Sequence, residues 1–436
     1  MLKAVVGLQF GDEGKGKFVD FLACDYQHIV RFNGGANAGH TVIVNGEHAA
    51  FSQIPATVTD GKSLYICQGA LISMERMIQE IDFIHSVCPN SKIYIDPRCH
   101  IVMPIHVQLN KASEVYKGEK KIGSVGVGVG ACFEDKSNRV GIRLIDLIDE
   151  ETLKDKLQTL WEIKDKQISN VFGGELTLCF YQELNRLSLL GKWLQPYFCF
   201  TNDLIKKLLD NGTDVLLESS QATFLDNSFG TYPYTVAYQT LIQSCFTSMG
   251  VPAEKLNVLG VMKSYMIRVG NGPLPTEIND EQALYIRERG NEFGTVSNRP
   301  RRCAWLDLAL IEHAIELNGV NEVSITNVDV LSNIQNLKIC VGYRLNGLEV
   351  CINEALLHFD HVEPIYEQFD SWPELYGTYY CIDDLPFNLI KYLSFIQSKI
   401  SADIRYISYG PDRNKTLRIN SGEFKAQIKI TMETMV

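Results

Sequence analysis

Asp12, Lys15, Lys17 and His40 are residues whose types and spacing could do chemistry, and all four sit among glycines. The first three belong to Gly11-Asp12-Glu13-Gly14-Lys15-Gly16-Lys17, which follows the apolar run Ala4-Val5-Val6-Gly7-Leu8. Glycine adopts φ angles that other residues resist, so this segment can wrap an anion. The two lysines supply positive charge, and Asp12 a carboxylate that could hold Mg²⁺ or take a proton. A strand feeding the loop, with a helix behind it over residues 18–24, would aim backbone N–H groups and a helix N-terminus at phosphate. The loop departs from a Walker A motif: six residues separate Gly7 from Gly14-Lys15, and Gly16 stands where Ser or Thr would ligate Mg²⁺. An ordinary glycine-rich turn is the competing reading, weakened by the Asp and two Lys. A second loop, Gly34-Gly35-Ala36-Asn37-Ala38-Gly39-His40-Thr41, follows an expected strand over residues 29–32. Asn37 can donate to a phosphate or a base, and His40 titrates near neutrality.

The elements that must position these groups follow from the apolar pattern. Short apolar runs at 3–8, 28–32, 63–66, 92–95, 214–217, 257–261, 322–326 and 404–408 read as buried strands. Helical patterns at 73–87, 307–318 and 389–400 fall between several of them. This alternation implies an α/β fold with a large, mostly parallel central sheet flanked by helices. Residues 42–48 carry an Asn45-Gly46 hairpin signal. The stretch from about 105 to 210 is richer in helical periodicity, as at 106–116 and 151–166, and reads as a helical insertion in a single domain spanning 1–436. Ligands of such sheets sit at the carboxyl ends of strands, where both glycine loops fall.

The 436 residues are 45% hydrophobic and 21% charged, a globular composition with ample core. A net charge of −11 argues against nucleic acid as a partner. Twelve scattered cysteines, with no CxxC pair, point to buried thiols in a reducing compartment. The N-terminus runs straight into a strand, unlike a signal peptide, and no apolar run approaches the roughly 20 residues of a membrane helix. A cytoplasmic location away from membranes is expected.

The two glycine loops, in this order and spacing, resemble the adenylosuccinate synthetase family, and the resemblance runs on through the chain. Gln221 with Gly230-Thr231-Tyr232-Pro233-Tyr234 is similar to a family block, as are Arg268-Val269-Gly270-Asn271-Gly272-Pro273 and Asn291-Glu292-Phe293-Gly294. So are Arg301-Arg302 with Trp305-Leu306-Asp307, and Gly410-Pro411-Asp412-Arg413. The resemblance implies a C–N ligase of purine nucleotide biosynthesis. It would phosphorylate the 6-oxo group of IMP with GTP, then let L-aspartate displace phosphate. Asp12 falls at the general-base position. One Mg²⁺ per subunit would be held by Asp12 and the Gly39 carbonyl. His40 would act as acid and charge stabiliser, and Lys15 and Gln221 fall at further catalytic positions. Gly11, Glu13, Gly14, Lys15, Gly16, Lys17, Gly39, His40, Thr41, Asp329, Ser408 and Gly410 match GTP or phosphate contacts. Asn37, Arg139, Gln221, Thr235 and Arg299 match purine-substrate contacts. Ser297 and Arg301 match aspartate contacts, for which an Arg fork is the physical warrant. The residue matching Arg139 reaches the neighbouring subunit's site, which implies a homodimer.

The chain also departs from the family. Val125 and Val127, in Gly123-Ser124-Val125-Gly126-Val127-Gly128, stand where the family has a Thr and an Arg, and Val236 where it has a second phosphate-contacting Thr. Each lost donor to a phosphate oxygen would cost roughly 1–3 kcal/mol. Asn327 in Asn327-Val328-Asp329 replaces a Lys beside the guanine position. Two alternatives therefore stay open: a paralogous ligase acting on another 6-oxopurine such as (d)GMP, or a nucleotide-binding regulatory protein without turnover.

Overall fold

Leu2–Gly7 (β1) is buried along its whole length, as a central parallel strand covered on both faces must be. It lies in the middle of a nine-stranded sheet. In the computed structural model, which describes residues 1–294, 300–420 and 424, the sheet order is Thr416–Arg418, Asp403–Ser408, Glu322–Thr326, Leu256–Lys263, β1, Val215–Glu218, His28–Arg31 (β2), Ser63–Ile66 and Lys92–Ile95. Every pairing is parallel except that of the edge strand Thr416–Arg418. The eight expected strand runs form its parallel body. Helices Met74–Val87, Leu308–Asn318 and Phe387–Lys399 occupy the expected stretches. The hairpin pairs His40–Val44 (β3) with Glu47–Phe51 (β4), with Asn45 at φ 52° and Gly46 at φ 84° in the turn. Five helices lie between 104 and 210: Pro104–Lys117, Val129–Asn138, Glu150–Lys166, Phe180–Leu194 and Thr201–Asp210.

Some of the remaining strands were not anticipated, chiefly one antiparallel group. Leu337–Leu345 pairs antiparallel with Leu348–Val350 and Glu363–Phe369 in a separate sheet, turning at Asn346-Gly347. All twelve cysteines are free, and no helix among the described residues is long and apolar enough to cross a membrane.

Parallel strands deliver their loops to one edge of the sheet. The chain leaves β1 through residues 8–14 and enters helix Lys15–Ala23 (α1), with Gly11 and Gly14 both at φ 95°. Three side chains lock this loop to its neighbours. Gln9 Nε2 donates to the Lys263 and Tyr265 carbonyls at 3.1 and 3.0 Å, Thr326 Oγ1 to the Glu13 carbonyl at 2.8 Å, and Thr223 Oγ1 to the Gly7 carbonyl at 2.8 Å. The structure also explains the missing Walker hydroxyl. A Cβ on Gly16 would lie 2.9 Å from the His40 Cβ, because β3 packs directly on α1. The space a Ser or Thr would need is taken by the histidine. Gly16→Ala should therefore displace His40 and overpack the contact, at a cost of about 1–3 kcal/mol. Thermal denaturation should show a lowered Tm together with reduced activity; an unchanged Tm and rate would contradict the packing.

Candidate active site

At the carboxyl edge of the sheet, one cleft of about 840 Å³ collects residues from distant parts of the chain. Asp12 and Lys15 come from the first glycine loop; Asn37, Gly39, His40 and Thr41 from the second; Gln221 from the loop after Val215–Glu218; and Arg301 from the chain after 300. Two of these non-glycine residues are held in the left-handed region, Asp12 at φ 59° and Gln221 at φ 63°. Such backbone strain concentrates where function over-determines the conformation.

Each charge in the cleft is matched. The buried Glu13 carboxylate turns back beneath its own loop, accepting from Gln9 N at 3.1 Å, Gly11 N at 2.9 Å and Lys15 Nζ at 2.6 Å. His40 gives its Nδ1 to Glu218, which also takes Arg31 Nη1 at 2.7 Å and Ala56 N at 2.9 Å. Arg31 and Glu218 are register partners at the ends of adjacent parallel strands, so the sheet itself sets this pairing. Burial pushes the imidazole pKa below its ordinary value; Glu218 opposes that shift and Arg31 adds to it. Burial also works against the Glu218 carboxylate, but Arg31 and His40 outweigh it and hold its pKa below the usual value. With Nδ1–H donated to a carboxylate, the ring keeps one tautomer and leaves Nε2 for a ligand. Asp12 Oδ2 lies 2.7 Å from Arg301 Nη2, and Arg301 Nη1 lies 2.8 Å from Glu292 Oε2.

Other expected site residues fall elsewhere. Lys17 does not face the cleft. Its Nζ donates to Ser408 Oγ at 2.7 Å, the Gly410 carbonyl at 2.8 Å and the Lys415 carbonyl at 3.0 Å, and burial lowers its pKa to about 7 despite Asp329 and Asp412 nearby. Lys17, Ser408 and Gly410 are thus one cluster that ties α1 to the end of Asp403–Ser408. Asp329 Oδ1 is buried without a hydrogen-bond partner among the described residues, and burial raises the pKa of its carboxyl. Its loop is pinned by Trp372 Nε1 to the Val328 carbonyl at 3.1 Å and by Ser264 Oγ to the Asn327 carbonyl at 2.9 Å. Arg139 is exposed and lines a separate basic hollow with Lys136, Arg143 and Lys156. Thr235 is half-buried and does not line the cleft. Ser297 and Arg299 lie outside the described residues. Val125 and Val127 do line the cleft, and Val127 packs with Val236 against Leu71, Val102 and Tyr238 in a small apolar cluster. Asn37 Oδ1 is buried and has no hydrogen-bond partner among the described residues.

Glu218, Arg31 and Glu292 were not identified from the sequence as site residues. Strand-terminal position was the available signal for Arg31 and Glu218. Among the described residues no cluster of three or more His, Cys, Asp or Glu could hold a metal. Asp12 and the Gly39 carbonyl do share the cleft, and such hard oxygen donors suit Mg²⁺, which takes few protein ligands and completes its shell with phosphate and water.

A parallel sheet that delivers a glycine-rich phosphate loop, a carboxylate, an imidazole and an arginine to one cleft belongs to an α/β nucleotide-dependent enzyme. The adenylosuccinate synthetase family model matches residues 4–417. The chain is 61% identical to adenylosuccinate synthetase 1 of Photorhabdus laumondii, over 96% of this chain and 99% of that one. It is 39% identical to the adenylosuccinate synthetase of Acetivibrio thermocellus, over 96% and 99%. The fully ligated adenylosuccinate synthetase structure from Plasmodium falciparum superposes with a TM-score of 0.88 at 32% identity, covering 96% of this chain and 99% of that one. A cyanophage S-2L succinoaminodeoxyadenylate synthetase shares the fold at 18% identity and a TM-score of 0.63, over 98% of both chains. The chain belongs to the adenylosuccinate synthetase family.

The Glu218 carboxylate joins His40 to Arg31 in a dry setting, so its neutral replacement strands a buried guanidinium. Glu218→Gln should cost about 3 kcal/mol of stability and lower kcat by roughly 10-fold or more as the imidazole loses its orientation. Both proteins should lose stability as the pH falls through about 6.5, since the unfolded imidazole takes a proton that the buried one resists. The loss should extend to lower pH in the variant, where His40 has no carboxylate to oppose its shift. Denaturation across pH 5–8 and steady-state kinetics check this; wild-type stability and rate in the variant would contradict it.

Proposed function

We propose that this chain is a GTP-dependent C–N ligase that joins L-aspartate to IMP, giving adenylosuccinate, GDP and phosphate. The observation that carries this reading is the sharing of one cleft by Asp12, His40, Lys15 and Arg301. The 6-oxo group of a purine is a poor leaving group, and phosphorylation makes it a good one. Asp12 would accept the N1 proton, and the electron pair this releases lets O6 attack the γ-phosphorus of GTP. The bond to the β–γ bridging oxygen breaks and GDP leaves. His40 would place a donor at the charge developing on O6 and the transferring group, with its orientation fixed by Glu218. Lys15 would move from Glu13 towards phosphate oxygens. The aspartate amine then attacks C6, phosphate departs with O6, and the amine loses a proton. Arg301 supplies the fork that takes a substrate carboxylate, joined by Ser297, while Asn37, Gln221, Thr235 and Arg299 would hold the purine nucleotide. Mg²⁺, held by Asp12 and the Gly39 carbonyl, would neutralise charge on the nucleotide phosphates.

Guanine would sit at Asp329, whose buried oxygen, unpartnered among the described residues, suits the N1–H and N2–H donors of that base. Ser408 and Gly410, braced by Lys17, would border it. A cytoplasmic homodimer, with helices 104–210 as an insertion in a single domain, fits an exposed Arg139 that would serve the neighbouring subunit's purine site. The identity of 61% to a curated adenylosuccinate synthetase, with Asp12, Lys15, His40 and Arg301 all present, disfavours both a (d)GMP-specific paralogue and a protein without turnover.

Phosphate release from GTP should require IMP and aspartate together, and Asp12→Asn should slow it about 10²–10⁴-fold. Release independent of either co-substrate would contradict the reading. Arg139→Leu should abolish activity without changing the circular dichroism spectrum or Tm, and should be complemented in mixtures with Asp12→Asn subunits. Full activity of Arg139→Leu alone would exclude the shared site.

A further inference from the structure

Arg301 is gripped from two sides by carboxylates with different surroundings. Glu292 is fully buried, and its Oε1 already takes the Tyr265 hydroxyl at 2.6 Å and the Lys263 ammonium. Its Oε2 takes Arg301 Nη1, and the Arg301 backbone N–H donates to the Glu292 carbonyl at 2.9 Å. Asp12 is more exposed, with 32% of its side chain accessible, and it holds Nη2. The third nitrogen, Nε, is buried with no partner among the described residues. A guanidinium offers a carboxylate two forked edges, Nη1–Nη2 and Nε–Nη2. Glu292 engages Nη1, so an incoming carboxylate has the Nε–Nη2 edge. Asp12 occupies half of that edge.

We propose that Glu292 is a positioning residue that anchors Arg301 by Nη1, and that the Asp12–Arg301 pair is a latch opened when the amino-acid substrate's carboxylate takes the Nε–Nη2 edge. The idea rests on the ligase reading above. While it is held against the guanidinium, the Asp12 carboxylate is turned to Arg301; displaced from it, the carboxylate is free to reach the purine N1 proton. Binding of the amino acid thereby readies the base, so GTP is not spent before the acceptor amine is in place. Glu292 keeps Arg301 from following Asp12, because its own place is fixed by Lys263 and Tyr265, and Lys263 N in turn donates to Gln9 of the phosphate loop at 3.0 Å.

Succinate, a dicarboxylate with no amine, probes the latch without turnover. Calorimetric titration of the full chain should show succinate binding about fivefold or more tightly to Asp12→Asn than to wild type, because no carboxylate must be displaced. Equal or weaker binding to the variant overturns the latch. Glu292→Gln should raise the KM for aspartate at least fivefold, with partial rescue by Glu292→Asp. A lowered Tm with unchanged KM would make Glu292 merely structural and overturn its positioning role. Should Glu292→Gln fail to fold, Tyr265→Phe frees one bond on Glu292 and must shift KM in the same direction. Wild type that neither binds succinate nor turns over aspartate would instead sink the ligase reading itself.

Discussion

Charge buried at the edge of a sheet must be paired, and that constraint organises this cleft. A lone carboxylate or ammonium taken out of water costs several kcal/mol, so each reactive group waits against a counter-charge from the protein. Lys15 waits on Glu13, His40 on Glu218 and Arg31, and Asp12 on Arg301, itself anchored by Glu292. A substrate that brings its own charges need only exchange partners with these groups. The free cleft is thus already shaped for anions and carboxylates.

The parallel sheet makes such pairing possible at short range. Arg31 and Glu218 end neighbouring strands in register, and Lys263 and Thr326 do the same on the other side of β1. Glycines are needed where charges approach the backbone most closely. A Cβ on Gly7 would lie 2.5 Å from Glu13 Oε2, so the carboxylate that neutralises Lys15 could not fold under the loop if any side chain stood there. Gly16 makes the equivalent room for His40. The loop departs from a Walker motif because an imidazole fills the space beside Gly16 and a carboxylate the space beside Gly7.

The parallel strands and both glycine loops were legible because period, length and glycine content are local properties of the chain. The antiparallel sheet around Leu337–Leu345 was not, although Asn346-Gly347 carries the same turn signal as Asn45-Gly46; its strands have half-exposed faces and lack the continuous apolar runs of the main sheet. Family resemblance placed Asp12, His40, Gln221 and Arg301 at functional positions, and these residues do line one cleft. Their counter-ions were invisible. Glu218 carries no motif, and the block that holds Glu292 does not say which group it pairs with: 178 positions separate Glu218 from His40, and Arg301 lies nine beyond Glu292. Charge in a glycine loop gives no hint of direction, so the contact of Lys17 with Ser408 could not be read from the sequence. Val127 and Val236 read separately as lost phosphate donors, whereas in space they are neighbours in one apolar cluster.

Oxygen transfer tests the central claim most directly. IMP labelled with oxygen-18 at position 6, incubated with the enzyme, GTP and aspartate, should give inorganic phosphate carrying one labelled oxygen and adenylosuccinate carrying none. Unlabelled phosphate, with the heavy oxygen released to water, would mean that the cleft never phosphorylates the purine oxygen, and the roles given to Asp12 and His40 would fall with it.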